Sequence, residues 1–469
     1  MLIVGLILGC PAPAPPGAPV TELPGAVCPE APDTSRLGTL PQTVVVVVVD
    51  TTRRDFLGVN HPSWDTTPTL DGLAAEGTRY DHVQSVRGLT AVALSSVQTG
   101  AYPRTHGVRS NSGDVVGPDT PTLQERLQAA GFRTYGYSAN MCQLMDVGMD
   151  ETTCTALGKK ESRPQEESDG ELIPAFFTAL DARPSDEPAY LWLHLVEPHD
   201  PFVANPTYFA EFHPQAYDGP LDPPSGEVLR QVSAGEIPYT AEDAAFLDAV
   251  YASQLRSADA HIGELLDGLR SRGRLDDALV LFVMDHGEEL GSRSTYFYHG
   301  CSPYQSVLDV SAIVWAPGRF PGGQLLSERV SATDLAPTLL EAIGLSNDGP
   351  AEGRSVLPDT LRCVEPQRDV FFERGQETAG VISGNWKYIL DPRAGYGDCK
   401  DYSDENPYPG EPSALYDLDT DPLELDNLHS ERAEVAANLR MKVCAWVTQS
   451  PWIADETVRN ALVAECTVE

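Results

Sequence analysis

The chain has no run of roughly 18 or more apolar residues, so it contains no segment able to cross a bilayer as a helix. It is poor in positive charge, with 32 Lys and Arg against 69 Asp and Glu and a net charge of -37. That balance argues against nucleic acid as a main partner, and against anionic phospholipid, because phosphate contacts are made by Lys and Arg. No two cysteines form a C-x-x-C pair, which argues against a structural zinc site. What the chain does have is length and apolar content: 469 residues, 41% of them hydrophobic. At roughly 100–200 residues per domain this predicts two to four modules, or one large α/β domain with an appendage.

Leu2–Gly9 is apolar and ends at Cys10. Ile7-Leu8-Gly9-Cys10 resembles a bacterial lipobox, whose cysteine carries the lipid. Pro11–Pro19 is Pro-rich and reads as a stiff tether. The expectation is a lipoprotein-type signal over 1–10 and a Pro-rich tether over 11–40. The protein is then exported to the bacterial cell envelope, periplasm or outer surface, with Cys10 as lipid anchor. Beyond Cys10 eight cysteines remain, an even number that suits disulfides in an oxidising compartment. About a hundred pairings are open. Proximity in the chain makes Cys142–Cys154 and Cys444–Cys466 the first candidates.

Thr43–Val49 is a β-branched run without polar alternation, as expected of a strand buried on both faces of a central parallel sheet. Tyr190–Val196, Ala278–Met284 and Val310–Trp315 read the same way, and Arg133–Tyr137 as a further strand. Helical spacing marks Thr69–Gly77, Thr122–Gly131, Ala241–Arg270 and Asp334–Gly344. Strands alternating with helices predict an α/β fold with a doubly wound, mostly parallel sheet and helices on both faces over 41–365. From 366 to 469 short strands and a final helix, Glu431–Gln449, predict a small C-terminal α+β subdomain. The polar, Pro-rich stretches 156–172 and 203–240 read as loops over the site.

Open α/β sheets place their sites at the carboxyl ends of strands. Three such ends carry Asp50, His199 and Asp285-His286, and Thr90 opens a helix, whose N-terminus favours anions. His194 lies inside a strand and reads as a core histidine. The segments Thr67–Gly77, Thr99–Val108, Pro198–Pro201, Asp285–Glu288, His299-Gly300, Asp334–Thr338, Trp386–Tyr388 and Leu415–Pro422, together with Asp50 after the valine run, resemble the sulfatase family of the alkaline phosphatase superfamily. They do so in the family's order over roughly residues 42–430.

The resemblance implies a metal-assisted ester hydrolase that forms a covalent intermediate on its nucleophile. Counting back nine residues from Thr99 reaches the family's nucleophile position, and it holds Thr90. Sulfatases proper have a Cys or Ser there that is converted to formylglycine, followed by Pro and Arg. Here those two positions hold Val92 and Leu94. Thr cannot become formylglycine. Thr nucleophiles occur elsewhere in the superfamily, in phosphodiesterases, phosphomutases and phosphotransferases, beside an acidic residue and an Asp-His pair.

The implied set is Asp50, Thr90, Asp285 and His286 around one divalent metal ion. An imidazole ligand favours Zn²⁺ or Mn²⁺ over Ca²⁺, and Ca²⁺ or Mg²⁺ stay open. His199 reads as general acid or oxyanion donor, and His299 as a substrate or leaving-group contact. Thr51, Arg104, His106 and Asn140 are second-layer or substrate candidates. The expected function is sulfatase-family hydrolysis of a sulfate or phosphate ester carried by a small molecule, glycan or lipid. The alternatives are a non-catalytic binding member and a phosphodiesterase or phosphotransferase.

Overall fold

Val44–Val49 are six consecutive valines, and none is more than 1% exposed. Successive residues of a strand face opposite sides, so a strand buried at every position is covered on both faces. That strand, β1 (Thr43–Val49), is the centre of the fold. The computed structural model describes residues 27–29, 32–61, 63–145, 147–155, 165–213, 215–291, 293, 296–374, 378–391, 413–448, 462–463 and 466. The lipobox, Cys10 and the tether up to residue 26 lie outside them.

The further strands are β2 (Thr78–Gln84), β3 (Arg133–Ser138), β4 (Glu151–Cys154), β5 (Ala189–Leu195), β6 (Ala278–Met284), β7 (Asp309–Trp315), β8 (Gln324–Leu326) and β9 (Val330–Ser331). They form one sheet in the order β4-β3-β5-β1-β6-β7-β2-β8, with β9 also paired to β2. The run from β4 to β6 is parallel, and β7 is antiparallel to both β6 and β2. The expected doubly wound, mostly parallel sheet is present. β1 lies between β5 and β6, in register Val48↔His194 and Val48↔Val283. The ends of these three strands therefore bring Asp50, the 196–200 loop and Asp285 to one edge. The helix Ala241–Ser271 supports this edge. Its Tyr251 hydroxyl donates to the Thr51 carbonyl (2.6 Å) and accepts from the Arg53 N–H (2.8 Å).

A second sheet, antiparallel throughout, contains β10 (Val370–Arg374), β11 (Thr378–Ser383), β12 (Trp386–Leu390) and β13 (Ser413–Asp417). The helix Ala433–Thr448 packs on it through Leu439 and Val443. The sheet touches both loops that flank the strand ends. Glu373 N–H donates to Val86 O at 2.9 Å, ahead of Thr90. Lys387 Nζ donates to Pro303 O at 2.6 Å, just past His299.

One expectation needed correction, and one strand had not been read. The stretches read as loops are partly helical among the described residues. Gln165–Gly170 is a helix, and a second, Leu172–Asp181, starts where the stretch ends and buries Leu172, Ile173, Phe176, Phe177 and Leu180 at helical spacing. In the other stretch, Gly226–Ser233 is a helix capped by Ser225, and Tyr217 stacks on Phe246 with ring centroids 3.9 Å apart. In addition, the polar segment Thr78–Gln84, not read as a strand from sequence, is β2. Its charges are paired across the sheet: Asp81 faces Arg54 and Arg79, and His82 meets Asp309.

The disulfides Cys142–Cys154 and Cys444–Cys466 are both present, with Cys28–Cys363 besides, and Cys301 is also disulfide-bonded. No helix among the described residues is long and apolar enough to cross a membrane.

Candidate active site

Asp50, the first residue after β1, is fully buried. Its Oδ1 lies 3.4 Å from Thr90 Oγ1 and 4.0 Å from His286 Nε2. Thr90 Oγ1 is also 3.3 Å from His286 Nε2. Thr90 opens the helix Thr90–Thr99, in which every residue is buried, and Ala91 N–H is taken by Asn111 Oδ1 at 3.0 Å. Asp285 ends β6 at the same edge. Its Oδ1 accepts from the backbone N–H groups of Thr51 (3.0 Å) and His286 (2.7 Å). Its Oδ2 is buried without a hydrogen bond, 3.2 Å from His286 Nε2. His286 Nδ1 faces Gly287 O at 3.0 Å, which orients Nε2 towards the two carboxylates.

Ligand atoms of Asp50, Asp285 and His286 all lie within 4.8 Å of one another. Two carboxylates and an imidazole in a buried cluster, with one oxygen of each carboxylate lacking a hydrogen bond, fit a divalent cation. Burial, and then the Asp50 charge, push Asp285 well above the usual carboxylate range. Burial would raise Asp50 as well, but His194, His199 and His286 outweigh it and hold Asp50 low. Burial, followed by the charge of His299, takes His286 down to about 3, which leaves its nitrogen free as a ligand.

Thr51 has a φ of 51°, an outlier for a β-branched residue. The Tyr251 hydroxyl on its carbonyl and Asp285 on its N–H hold it there. Such strain persists only where the surroundings over-determine it, and it clusters at functional sites. The Thr51 hydroxyl is buried without a partner.

His299 is brought alongside: its ring lies 4.5 Å from that of His286 and 5.2 Å from that of His199. Glu288 Oε2 orients His299 through Nδ1 at 3.0 Å. Burial and then the charge of His199 lower His299 to about 3. His199 Nδ1 is 3.0 Å from Asp200 Oδ1. Burial opposes its protonation, but Asp200 and then Asp50 outweigh it, so His199 stays charged well above its ordinary value.

The remaining candidates are engaged elsewhere. Arg104 pairs with Glu352 and lies 4.1 Å above the Trp446 ring, against the C-terminal helix. His106 is buried between Ser96 Oγ (3.0 Å) and Val108 N–H (3.1 Å). Asn140 forms a local turn, its N–H on Ser138 Oγ at 3.1 Å. His194, read from sequence as a core histidine, has its Nε2 3.3 Å from Asp50 Oδ2. The signal available in sequence was its place near the carboxyl end of a strand neighbouring β1.

The fold and site define a class: an α/β protein of alkaline phosphatase type whose buried carboxylate and imidazole groups converge beside a hydroxyl at a helix N-terminus. The sulfatase family model matches residues 42–345. The chain belongs to the sulfatase family. It is 24% identical to a choline-sulfatase of Rhizobium meliloti over 89% of this chain and 91% of that protein. Its fold is similar to that of the phosphonate monoester hydrolase of Silicibacter pomeroyi, at a TM-score of 0.70 and 19% identity over 88% and 96% of the two chains. It is also similar to a structure solved with its substrate, D-glucosamine-2-N,6-O-disulfate, at a TM-score of 0.67 and 16% identity over 88% and 98%.

Proposed function

We propose that this sulfatase-family member is a metal-dependent hydrolase that forms a covalent ester on Thr90, with phosphate esters favoured over sulfate esters. The carrying observation is the position of Thr90 Oγ1, at a helix N-terminus, 3.4 Å from Asp50 Oδ1 and 3.3 Å from His286 Nε2. Asp50, Thr90, Asp285 and His286 would hold one divalent ion, Zn²⁺ or Mn²⁺ before Ca²⁺ or Mg²⁺. When bound, that ion supplies Lewis-acid polarisation of the ester.

The Thr90 hydroxyl lies between Asp50 Oδ1 and His286 Nε2, where its ionised form is favoured when the ion is bound, its proton passing to solvent before Oγ1 attacks. His199, held charged by Asp200, protonates the departing alkoxide. Neutral His199 then takes a proton from the water that cleaves the Thr90 ester, which restores charged His199, releases the phosphate and leaves Thr90 as its alkoxide, ready for the next attack. His299 borders the leaving group. A Thr ester of phosphate can be opened by water. A Thr sulfate lacks the second hydroxyl by which formylglycine expels sulfate, which supports the phosphoester preference.

A second reading, a non-catalytic binding member, is favoured by one observation. The family's Arg position holds Leu94, fully buried in the core, so no guanidinium assists Thr90 from there. Residues 41–365 are read as the catalytic body and 366–469 as its appended subdomain. The bonded cysteines support export to an oxidising cell-envelope compartment, with Cys10 as the proposed anchor.

The test is turnover of p-nitrophenyl phosphate, phosphodiester and sulfate by the protein from residue 28 onward with each of the four metals. Thr90→Ala and Asp285→Ala are run in parallel. Phosphoester turnover abolished in both variants supports the proposal. Metal uptake with no turnover of any ester supports the binding reading.

A further inference from the structure

We propose that His194 is a positioning residue for Asp50, fixing which carboxylate oxygen Asp50 offers to the metal; this rests on the reading of Asp50 as a ligand. The geometry follows from the sheet. β1 and β5 are parallel in register Val48↔His194, and β3 and β5 in register Ser138↔His194. Residues paired this way share a face, and Asp50 follows Val48 on that face by the two-residue period. Ser138, His194 and Asp50 thus form a row across three neighbouring strands at their carboxyl ends. Ser138 is 1% exposed, and His194 and Asp50 are fully buried.

Within the row each contact is polar. Ser138 Oγ lies 3.0 Å from His194 Nδ1, and His194 Nε2 lies 3.3 Å from Asp50 Oδ2. Neither of these two atoms makes a hydrogen bond with any other group, so Nε2 and Oδ2 face each other alone, and a hydrogen on Nε2 would point to the carboxylate. Asp50 therefore has two differently engaged oxygens. Oδ2 is turned to His194, and Oδ1 is turned to Thr90 and His286. A carboxylate held by one oxygen presents the other alone, and outer partners of this kind fix the orientation of metal ligands. A histidine serving only as core filling would have no reason to aim a ring nitrogen at the carboxylate that follows β1.

The experiment titrates Mn²⁺ into the purified full chain and into His194→Asn, His194→Gln and His194→Leu, following affinity and thermal unfolding in metal-free buffer. Gln can reach Asp50 with its amide N–H. Asn keeps a polar group near Ser138 but falls short of Asp50. The expectation is a Kd for Mn²⁺ raised about 10–100-fold in His194→Asn and His194→Leu and largely restored in His194→Gln. Metal-free melting of Asn and Gln variants should be alike. Electron spin-echo measurements on the Mn²⁺ form should detect one coordinated imidazole, that of His286. Two coordinated imidazoles would make His194 a ligand and overturn the inference. So would wild-type affinity in His194→Asn. A wild-type chain that takes up no metal overturns the site reading and this inference together, whereas wild-type uptake with unchanged variants overturns the inference alone.

Discussion

Replacing Lys387 by Met removes the contact that β12 makes with the 303–305 segment, just past His299. Lys387 is fully buried, with Nζ 2.7 Å from Glu424 Oε1, 2.6 Å from Pro303 O and 3.0 Å from Gln305 Oε1. Burial takes the lysine down to about 8, with Glu424 opposing the fall. Methionine fills a similar volume, so little of the loss is packing. What remains is Glu424, 1% exposed, as a buried charge that has lost its paired Nζ, with the Arg293 guanidinium on its own carbonyl nearby. Removing one partner of a buried pair costs about 3–5 kcal/mol, because the other charge is left uncompensated. Glu424 keeps the Gln305 N–H at 2.6 Å, which places the expected value near the lower end, about 3 kcal/mol. Urea unfolding at pH 7 of wild type, Lys387→Met, Glu424→Gln and the double variant measures it. The double variant should be more stable than Lys387→Met, since the amide removes the stranded charge and still accepts from Gln305. A loss below about 1 kcal/mol in Lys387→Met would refute the reasoning, as would additive losses in the double variant.

Asp169 is fully buried on the backbone N–H groups of Val196 and Glu197, and burial pushes it up to about 7. Its folded value lies above its unfolded one, so the stability it contributes is present below pH 4 and is lost as pH rises through 7. Asp169→Asn should therefore gain on wild type by several kcal/mol between pH 4 and 8, on the order of 1.4 kcal/mol for each pH unit crossed between the unfolded and folded values, and a pH-independent gap in denaturation midpoints would contradict this. Gly88→Ala puts a Cβ 2.7 Å from His299 O, so the His299 segment must move; kcat should fall about a hundredfold with a smaller effect on melting, and an unchanged kcat would count against His299 at the leaving group. Replacing both Cys142 and Cys154 by Ser opens a loop of sequence separation 12 and should lower stability by about 3 kcal/mol in urea unfolding under oxidising conditions.

The parts of the fold legible in sequence are those where burial alone dictates residue type. β1 and β6 are apolar at all but one position between them, so their composition announces strands covered on both faces. β2 was illegible because its polar side chains are satisfied by residues distant in sequence, Arg54 and Asp309, which no local pattern reveals. At the site, Asp50, Asp285, His286, His199 and Thr90 were readable because the residue types stand at strand ends and at a fixed spacing before Thr99. The close approach of Asp50, Thr90, Asp285 and His286, with His199 beside them next to His299, is what the sheet order adds. His194 is the buried strand histidine that the sequence suggests, but a histidine amid leucines gives no sign of its partner. Only the β1–β5 register brings Asp50 to it. Arg104 and His106 stood in one of the family-like segments, and their contacts are structural: His106 bonds Ser96 of the helix after Thr90, and Arg104 pairs with Glu352.

The central claim is the covalent role of Thr90. The most direct measurement is rapid acid quench of the metal-loaded protein during turnover of a p-nitrophenyl phosphodiester, followed by mass spectrometry of the peptide containing residues 88–104. The account predicts a phosphoryl adduct on Thr90 that appears with turnover, is absent in the Thr90→Ala protein and accumulates when His199 is replaced by Asn. Unchanged phosphodiester turnover in the Thr90→Ala protein, with no adduct at any step in the wild type, would contradict it.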